Sequence, residues 1–154
     1  MQLAIRHATP ADHGIVVAFN LALAEESEGK RLDRSAVEVG VAAVLQDPAK
    51  GVYYLAESER GVVGQTMITY EWSDWRNGWF WWIQSVYVVP SARRQGVFRR
   101  LYRHIEDEAR SRPDVIGLRL YYEVNNLPAI HTYQALGFMP TSYGVLEIYP
   151  LRKA

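Results

Sequence analysis

Arg93, Arg94, Arg99 and Arg100 crowd around Gly96 at the start of an amphipathic segment, and the chemistry they suggest is anion binding. An α-helix already presents partial positive charge at its N-terminus, where carboxylates are the stabilising residues. Four guanidinium groups at that end make sense if an anion from outside the chain binds there, held by unpaired main-chain N–H groups. Gly96 suits such a place, because a residue without Cβ lets the backbone approach an anion and adopt dihedrals that other residues avoid. The N–H groups of Gln95, Gly96, Val97, Phe98 and Arg99 would form the nest, and the Arg93 and Arg94 side chains would add charge-assisted bonds. The pattern points to a phosphate-bearing ligand; its plainer alternative is a solvated basic helix face behind an ordinary turn glycine.

Composition narrows the ligand further. Lys+Arg and Asp+Glu number 17 each, so the net charge is zero and the basic surplus that drives nucleic-acid binding is missing. A small anion fits this balance better than a polyanion. The chain has no cysteine, which excludes disulfides, thiolate catalysis and Cys-based zinc. His7, His13, His104 and His131 show no metal-ligand spacing, so no metal is expected. No apolar run reaches the ~20 residues of a membrane span and no signal peptide is visible, so a cytoplasmic protein without membrane contact is the expectation. At 154 residues, one domain covering 1–154 is expected.

The elements that must position the arginine-rich turn follow from periodicity and punctuation. Residues 3–7 read as a strand, and Thr9 as the cap of a helix that enters on Pro10 and runs to about Glu26. Residues 35–45 read as a second helix closed by Asp47 and Pro48. Residues 52–57, 62–72 and 79–89 read as three strands joined by turns at 58–61 and 73–78. After the turn, Val97, Leu101, Ile105 and Ala109 recur every four residues on one helix face. Residues 116–122 read as a strand and 127–136 as a helix between Asn126 and Gly137, and residues 138–149 as a final strand or pair. The order β-α-α-β-β-β-α-β-α-β predicts a mixed α/β sheet with helices on both faces.

This order, with its arginine-rich strand–turn–helix, resembles the GNAT superfamily of acyl-CoA-dependent N-acetyltransferases over nearly the whole chain. Residues 93–98, Arg-Arg-Gln-Gly-Val-Phe, are similar to the family's acyl-CoA signature, Gln/Arg-x-x-Gly-x-Gly/Ala. Asn126, Ala129, Tyr133, Gly137 and Phe138 are similar to its last helix and the turn beyond. Phe98 departs from the usual Gly or Ala; because the family contact is through backbone N–H, its ring need only point away, toward Tyr102. The resemblance implies an α+β fold with a mostly antiparallel central sheet of six to seven strands. It implies acetyl-CoA as acyl donor, its pyrophosphate on the turn and its pantetheine arm along the backbone of Val86, Tyr87 and Val88, like an added strand. It also implies that Asn126 contacts the cofactor besides capping its helix, and that Tyr133 protonates the departing thiolate. With reference pKa values near ~10 for Tyr and ~8.5 for a thiol, that transfer is uphill by only about 2 kcal/mol.

An alkylammonium acceptor must lose a proton first, at roughly 4–5 kcal/mol near neutral pH. Glu71, near the end of its strand, is the first candidate for the base and Glu123 the second; plain surface carboxylates are the alternative for both. Glu25, Glu26 and Glu28 lie where members of the family often line the acceptor pocket, or are simply solvated helix-end charges. Trp72, Trp75, Trp79, Trp81 and Trp82 with Phe80 form a dense aromatic hairpin whose alternation places Trp79 and Trp81 on one face and Phe80 and Trp82 on the other. One face must be core; the other would line the pocket or form a homodimer contact. The function expected is transfer of an acetyl group from acetyl-CoA to a primary amine, small molecule or peptide, by direct attack in a ternary complex. The alternative on the same fold is a non-catalytic CoA-binding sensor.

Overall fold

In the computed structural model, which describes residues 1–153, the chain forms two units, Met1–Tyr121 and the residues from Tyr122 onward. In the first unit β1 (Ala4–His7) leads through a single 3-10 turn to α1 (His13–Glu28) and α2 (Arg34–Gln46). Three strands follow, β2 (Val52–Ser58), β3 (Gly61–Ser73) and β4 (Gly78–Val88), then α3 (Val97–Arg110) and β5 (Val115–Leu120). The second unit contains α4 (Leu127–Ala135). The strands lie in the order β1-β2-β3-β4-β5, antiparallel except for the parallel pair β4–β5.

Among the described residues the sheet has five strands rather than six to seven, and the difference lies at the C-terminal end. Residues 138–149, expected as a final strand or pair, form neither strand nor helix. Apolar alternation makes a segment competent to be a strand, but only a neighbouring ladder makes it one. The expected helix entry at Thr9 is also modified. The turn Pro10–Asp12 comes first, closed by the Thr9 N–H donating to Asp12 Oδ2 at 2.7 Å.

Tyr53 and Tyr54 show how the core is divided. Adjacent strand residues point to opposite faces, and both rings are buried. Tyr53 packs with Val16 and Val17 of α1, Val41 of α2 and Leu55. On the other side the Tyr54 hydroxyl donates to Glu108 Oε2 at 2.9 Å, and its ring meets the edge of His104, both on α3. The expected face of α3 is the buried one: Val97, Leu101, Ile105 and Ala109 are at most 6% exposed. Gly64 of β3 lets this helix close on the sheet, since a Cβ there would lie 2.9 Å from Val97 Cγ1 and 3.2 Å from the Tyr87 carbonyl oxygen.

An ionic clamp fastens β1 to the start of α1. Arg6 donates to both oxygens of Asp12 at 2.9 Å each, and its Nε donates to Glu57 Oε2 of β2 at 2.8 Å. The Arg6 guanidinium, helped by the Thr9 N–H and opposed by burial, holds the Asp12 carboxyl at about 2, below its ordinary 3.8.

Two predictions follow from this packing. Gly64→Ala overpacks the contact with α3 and should destabilise the protein by about 1–3 kcal/mol, read from the urea midpoint. The Asp12 carboxyl is depressed in the folded state, so its contribution is present above the unfolded value and lost as pH falls toward 2. Asp12→Asn should therefore flatten the dependence of stability on pH between about 4 and 2, measured by urea melts across that range.

Candidate functional site

Strand β4 is paired along its whole length on one side and along half of it on the other. On the β3 side the ladder reaches Val88, opposite Gly64. On the β5 side it stops at Ile83, opposite Leu120. Among the described residues no strand pairs with residues 84–88 on that side, and Val86, Tyr87 and Val88, expected to meet a pantetheine arm, all lie on this edge. The same stretch holds a β-bulge: Gln65 faces Tyr87 and Met67 faces Gln84, so Thr66 alone opposes Ser85 and Val86. Ser85 takes the left-handed conformation, with φ 51°.

Buried polar side chains hold the bulge. Thr66 Oγ1 donates to the Gln84 carbonyl at 3.0 Å, and Gln65 Nε2 donates to the Ser85 carbonyl at 3.1 Å and to Asn20 Oδ1 of α1 at 2.9 Å. Both Gln65 and Thr66 are fully buried. Sequence reading missed Asn20, Gln65, Thr66 and Ser85. The available signal was a Gln-Thr pair inside an otherwise apolar strand, since polar groups are buried only where they have something to hold.

Beyond Val88 the chain makes a single turn, Pro90–Ala92, and enters α3 through two left-handed residues, Arg94 (φ 62°) and Gly96 (φ 77°). At the start of the helix the Arg100 N–H donates to the Gly96 carbonyl at 3.0 Å. Among the described residues, the N–H groups of Gly96, Val97 and Arg99 make no main-chain hydrogen bond. With no acidic residue in the first helical turn, this is a concave cluster of donors suited to an anion.

The arginines divide their tasks. Arg93 is engaged within the chain: Nε donates to the Val88 carbonyl at 2.9 Å, Nη2 to Glu26 Oε2 at 2.6 Å, and the guanidinium lies 5.6 Å from the Tyr87 ring centre. Arg100 Nη2 donates to the Leu3 carbonyl at 3.0 Å. Arg94 and Arg99 are exposed. Gln95 Nε2 caps the Ser91 carbonyl at 2.9 Å, and the Phe98 ring lies 6.4 Å from that of Tyr102, the direction expected for it. Glu26 thus ties the end of α1 to the turn, while Glu25 and Glu28 are exposed.

Glu71 sits in the aromatic hairpin, where its Oε1 accepts from Arg119 Nη1 at 2.9 Å and Trp82 Nε1 at 3.0 Å. The pair holds the Arg119 guanidinium 3.6 Å from the Phe80 ring centre, and Trp82 stacks on Tyr121 at 4.5 Å. Glu71 therefore positions this face of the sheet. Trp79 and Trp81 lie on the opposite face with Tyr70 and Trp72, and Trp75 at the tip is 84% exposed.

In the second unit, Asn126 caps α4 by accepting the Ala129 N–H at 3.3 Å. Glu123 accepts the Asn125 N–H at 2.9 Å. Tyr133 is half-buried in the last turn of the helix, its ring 6.1 Å from Phe138, and burial raises its phenol above the ordinary tyrosine value. Gly137, with φ 97°, turns the chain out of the helix. Among the described residues no cluster of three or more His, Asp or Glu could hold a metal ion, and no helix is long and apolar enough to cross a membrane.

Known proteins resemble this arrangement throughout. The chain aligns over 99% of its length with all of a possible acetyltransferase from Clostridium difficile 630, at 41% identity and a TM-score of 0.91. A predicted acetyltransferase from Clostridium acetobutylicum, solved with acetyl-CoA, shares the fold at 18% identity and a TM-score of 0.78, covering 96% of both chains. A ribosomal-protein-alanine N-acetyltransferase from Brucella melitensis biovar Abortus 2308 does so at 16% identity and 0.77, covering 96% of this chain and 98% of its own. No curated protein matches the chain. The Acetyltransferase (GNAT) family pattern matches residues 18–138, which run from α1 through the arginine-rich turn to Phe138, just past the Tyr133 helix, and the chain belongs to that family.

Proposed function

We propose that the protein transfers an acetyl group from acetyl-CoA to a primary amine in a ternary complex. The observation that carries this reading is the unpaired β4 edge at residues 84–88 running directly into the donor cluster at the start of α3. An extended amide-bearing arm can hydrogen-bond along such an edge as an added strand, and its pyrophosphate can then meet the N–H groups of residues 95–99. Arg94 and Arg99 supply charge from exposed positions, and Arg93 lines the approach beside Val88.

The chemistry requires one bond to form and one to break. The ammonium of the acceptor gives a proton to a base, for which Glu71 and Glu123 are the two carboxylates in view. The amine nitrogen then attacks the thioester carbonyl carbon, and a main-chain N–H of residues 86–88 stabilises the oxyanion. As the C–S bond breaks, Tyr133 gives its proton to the thiolate, and the second proton shed by nitrogen restores the phenol. A phenol whose pKa is raised by burial stays protonated until the thiolate develops, which suits an acid. Asn126 shapes the start of the helix that carries this tyrosine.

Acetyl-CoA at about 100 times its Kd should stabilise the protein by about 2.7 kcal/mol, seen as a raised Tm, and an amine panel should release free CoA. Absence of both binding and release would end the proposal; binding without release to any amine would leave a CoA sensor. Tyr133→Phe should lower kcat on the order of a hundredfold with little change in KM for acetyl-CoA. Gly96→Val forces a branched side chain into the left-handed region at a cost of about 1–2 kcal/mol, and should weaken CoA binding in calorimetry by tenfold or more.

A further inference from the structure

In an unbroken antiparallel strand, the N–H groups that reach one edge come from alternate residues. The bulge in β4 changes that spacing. Past it, the Val89 N–H donates to the Val63 carbonyl of β3 at 2.9 Å. Tyr87, two residues back in the same register, therefore also directs its peptide groups to β3, and Val86 and Val88 direct theirs away. Ahead of the bulge, the Trp79 N–H donates to the Asp114 carbonyl, just before β5, at 2.8 Å. Trp81 and Ile83 follow it toward β5, and Gln84 faces β3. Ser85 stands between the two registers. A trans peptide plane holds each N–H opposite its carbonyl. The Gln84 and Ser85 carbonyls both face β3, so the N–H groups of Ser85 and Val86, consecutive in the chain, both point to the open edge.

Two side chains of β3 maintain this arrangement. Thr66 Oγ1 donates to the Gln84 carbonyl at 3.0 Å, and Gln65 Nε2 donates to the Ser85 carbonyl at 3.1 Å. Gln65 gives its other Nε2 hydrogen to Asn20 Oδ1 at 2.9 Å, and Asn20 Nδ2 donates to the Tyr53 hydroxyl at 3.1 Å. Gln65 is 0% exposed, yet its Oε1 has no hydrogen-bond partner among the described residues. A buried acceptor left unpaired costs stability. Turning the amide over would set that oxygen against the Ser85 carbonyl and Asn20 Oδ1, both acceptors. The orientation found serves the bulge rather than the side chain's own pairing.

We propose that Gln65 and Thr66 are positioning residues for acetyl transfer. By holding two adjacent carbonyls on the β3 side, they set the Ser85 and Val86 N–H groups next to each other as a two-donor site for the thioester oxygen, which takes up negative charge when the amine attacks. Both side chains are fully buried and act only through the main chain. The inference rests on the acetyl-transfer reading, and adds to it which donors meet the oxyanion and what aims them.

The test uses the full chain with acetyl-CoA isotopically labelled at the thioester carbonyl, read by difference infrared spectroscopy. Donors on the oxygen lower the carbonyl stretch, so the band of the wild-type complex should lie below that of free acetyl-CoA. Gln65→Met and Thr66→Val keep side-chain size and remove the donor. In both the band should return toward its free position, and kcat should fall on the order of tenfold to a hundredfold, with KM and calorimetric Kd for acetyl-CoA changed by less than about twofold. Thr66→Ser, which keeps the hydroxyl, should recover most of the kcat and band shift that Thr66→Val loses. If Gln65→Met does not fold, the two Thr66 variants decide. An unshifted wild-type band, or variants that weaken acetyl-CoA binding and leave the shift intact, would overturn the positioning role and leave acetyl transfer standing. A shift present in the wild type and lost in the variants, with no CoA released to any amine, would keep the donor pair and end the transfer reading. A chain that binds no acetyl-CoA ends both.

Discussion

A peptide group taken out of water must find a hydrogen-bond partner, and β4 meets that demand differently on its two sides. Toward β3 it is paired through Val88; toward β5 it is paired only through Ile83. The unequal ladders open the sheet at one end without unfolding it. Because β4 stays anchored to β3, the open edge has fixed geometry, and the buried amide of Gln65 fixes the carbonyl at its most distorted point. The turn, the start of α3 and the placement of the arginines all take their positions from where this strand stops being shared.

The electrostatics build on that frame. A helix N-terminus, two left-handed residues and four arginines would be an unfavourable concentration of positive charge if all were left to themselves. The chain settles part of it internally, with Arg93 on Glu26 and Arg100 on the Leu3 carbonyl. Those two cations thereby become structural connections, one to the end of α1 and one to the segment before β1. An exposed ion pair such as Arg93–Glu26 contributes little stability by itself. The value of these connections lies in registering the turn against helices and strands remote in sequence.

Much of this was legible in the sequence. The α3 face, the five strands of the sheet and the two helices before it follow from periodicity, and the donor cluster follows from Gly96 among arginines. The bulge was not legible, because period-two alternation in β4 reads as unbroken until the pairing with Thr66 is known. Nor was the tie of Glu71 to Arg119 and Trp82: a carboxylate near a strand end looks the same whether it faces solvent or a guanidinium 48 positions away. The final strand was read from alternation alone, and alternation records what a segment can bury, not whether a ladder stands beside it. Non-local pairing is the common element in all three cases.

The extra residue in β4 also acts as a parity switch. Ile83 and Trp81, ahead of it, point to the side of α3, and simple alternation would send Tyr87 there too. Instead Tyr87 points to α1, where its ring meets Phe19 at 5.0 Å and its hydroxyl meets Glu26. Removing one residue at 85 or 86 would therefore be more than a local lesion. Every side chain from there to the turn would change sides, exchanging Tyr87 with Val88 across the sheet and leaving Arg93 with neither its ring nor its carbonyl. For this strand, an insertion or deletion of one residue is a larger change than almost any substitution.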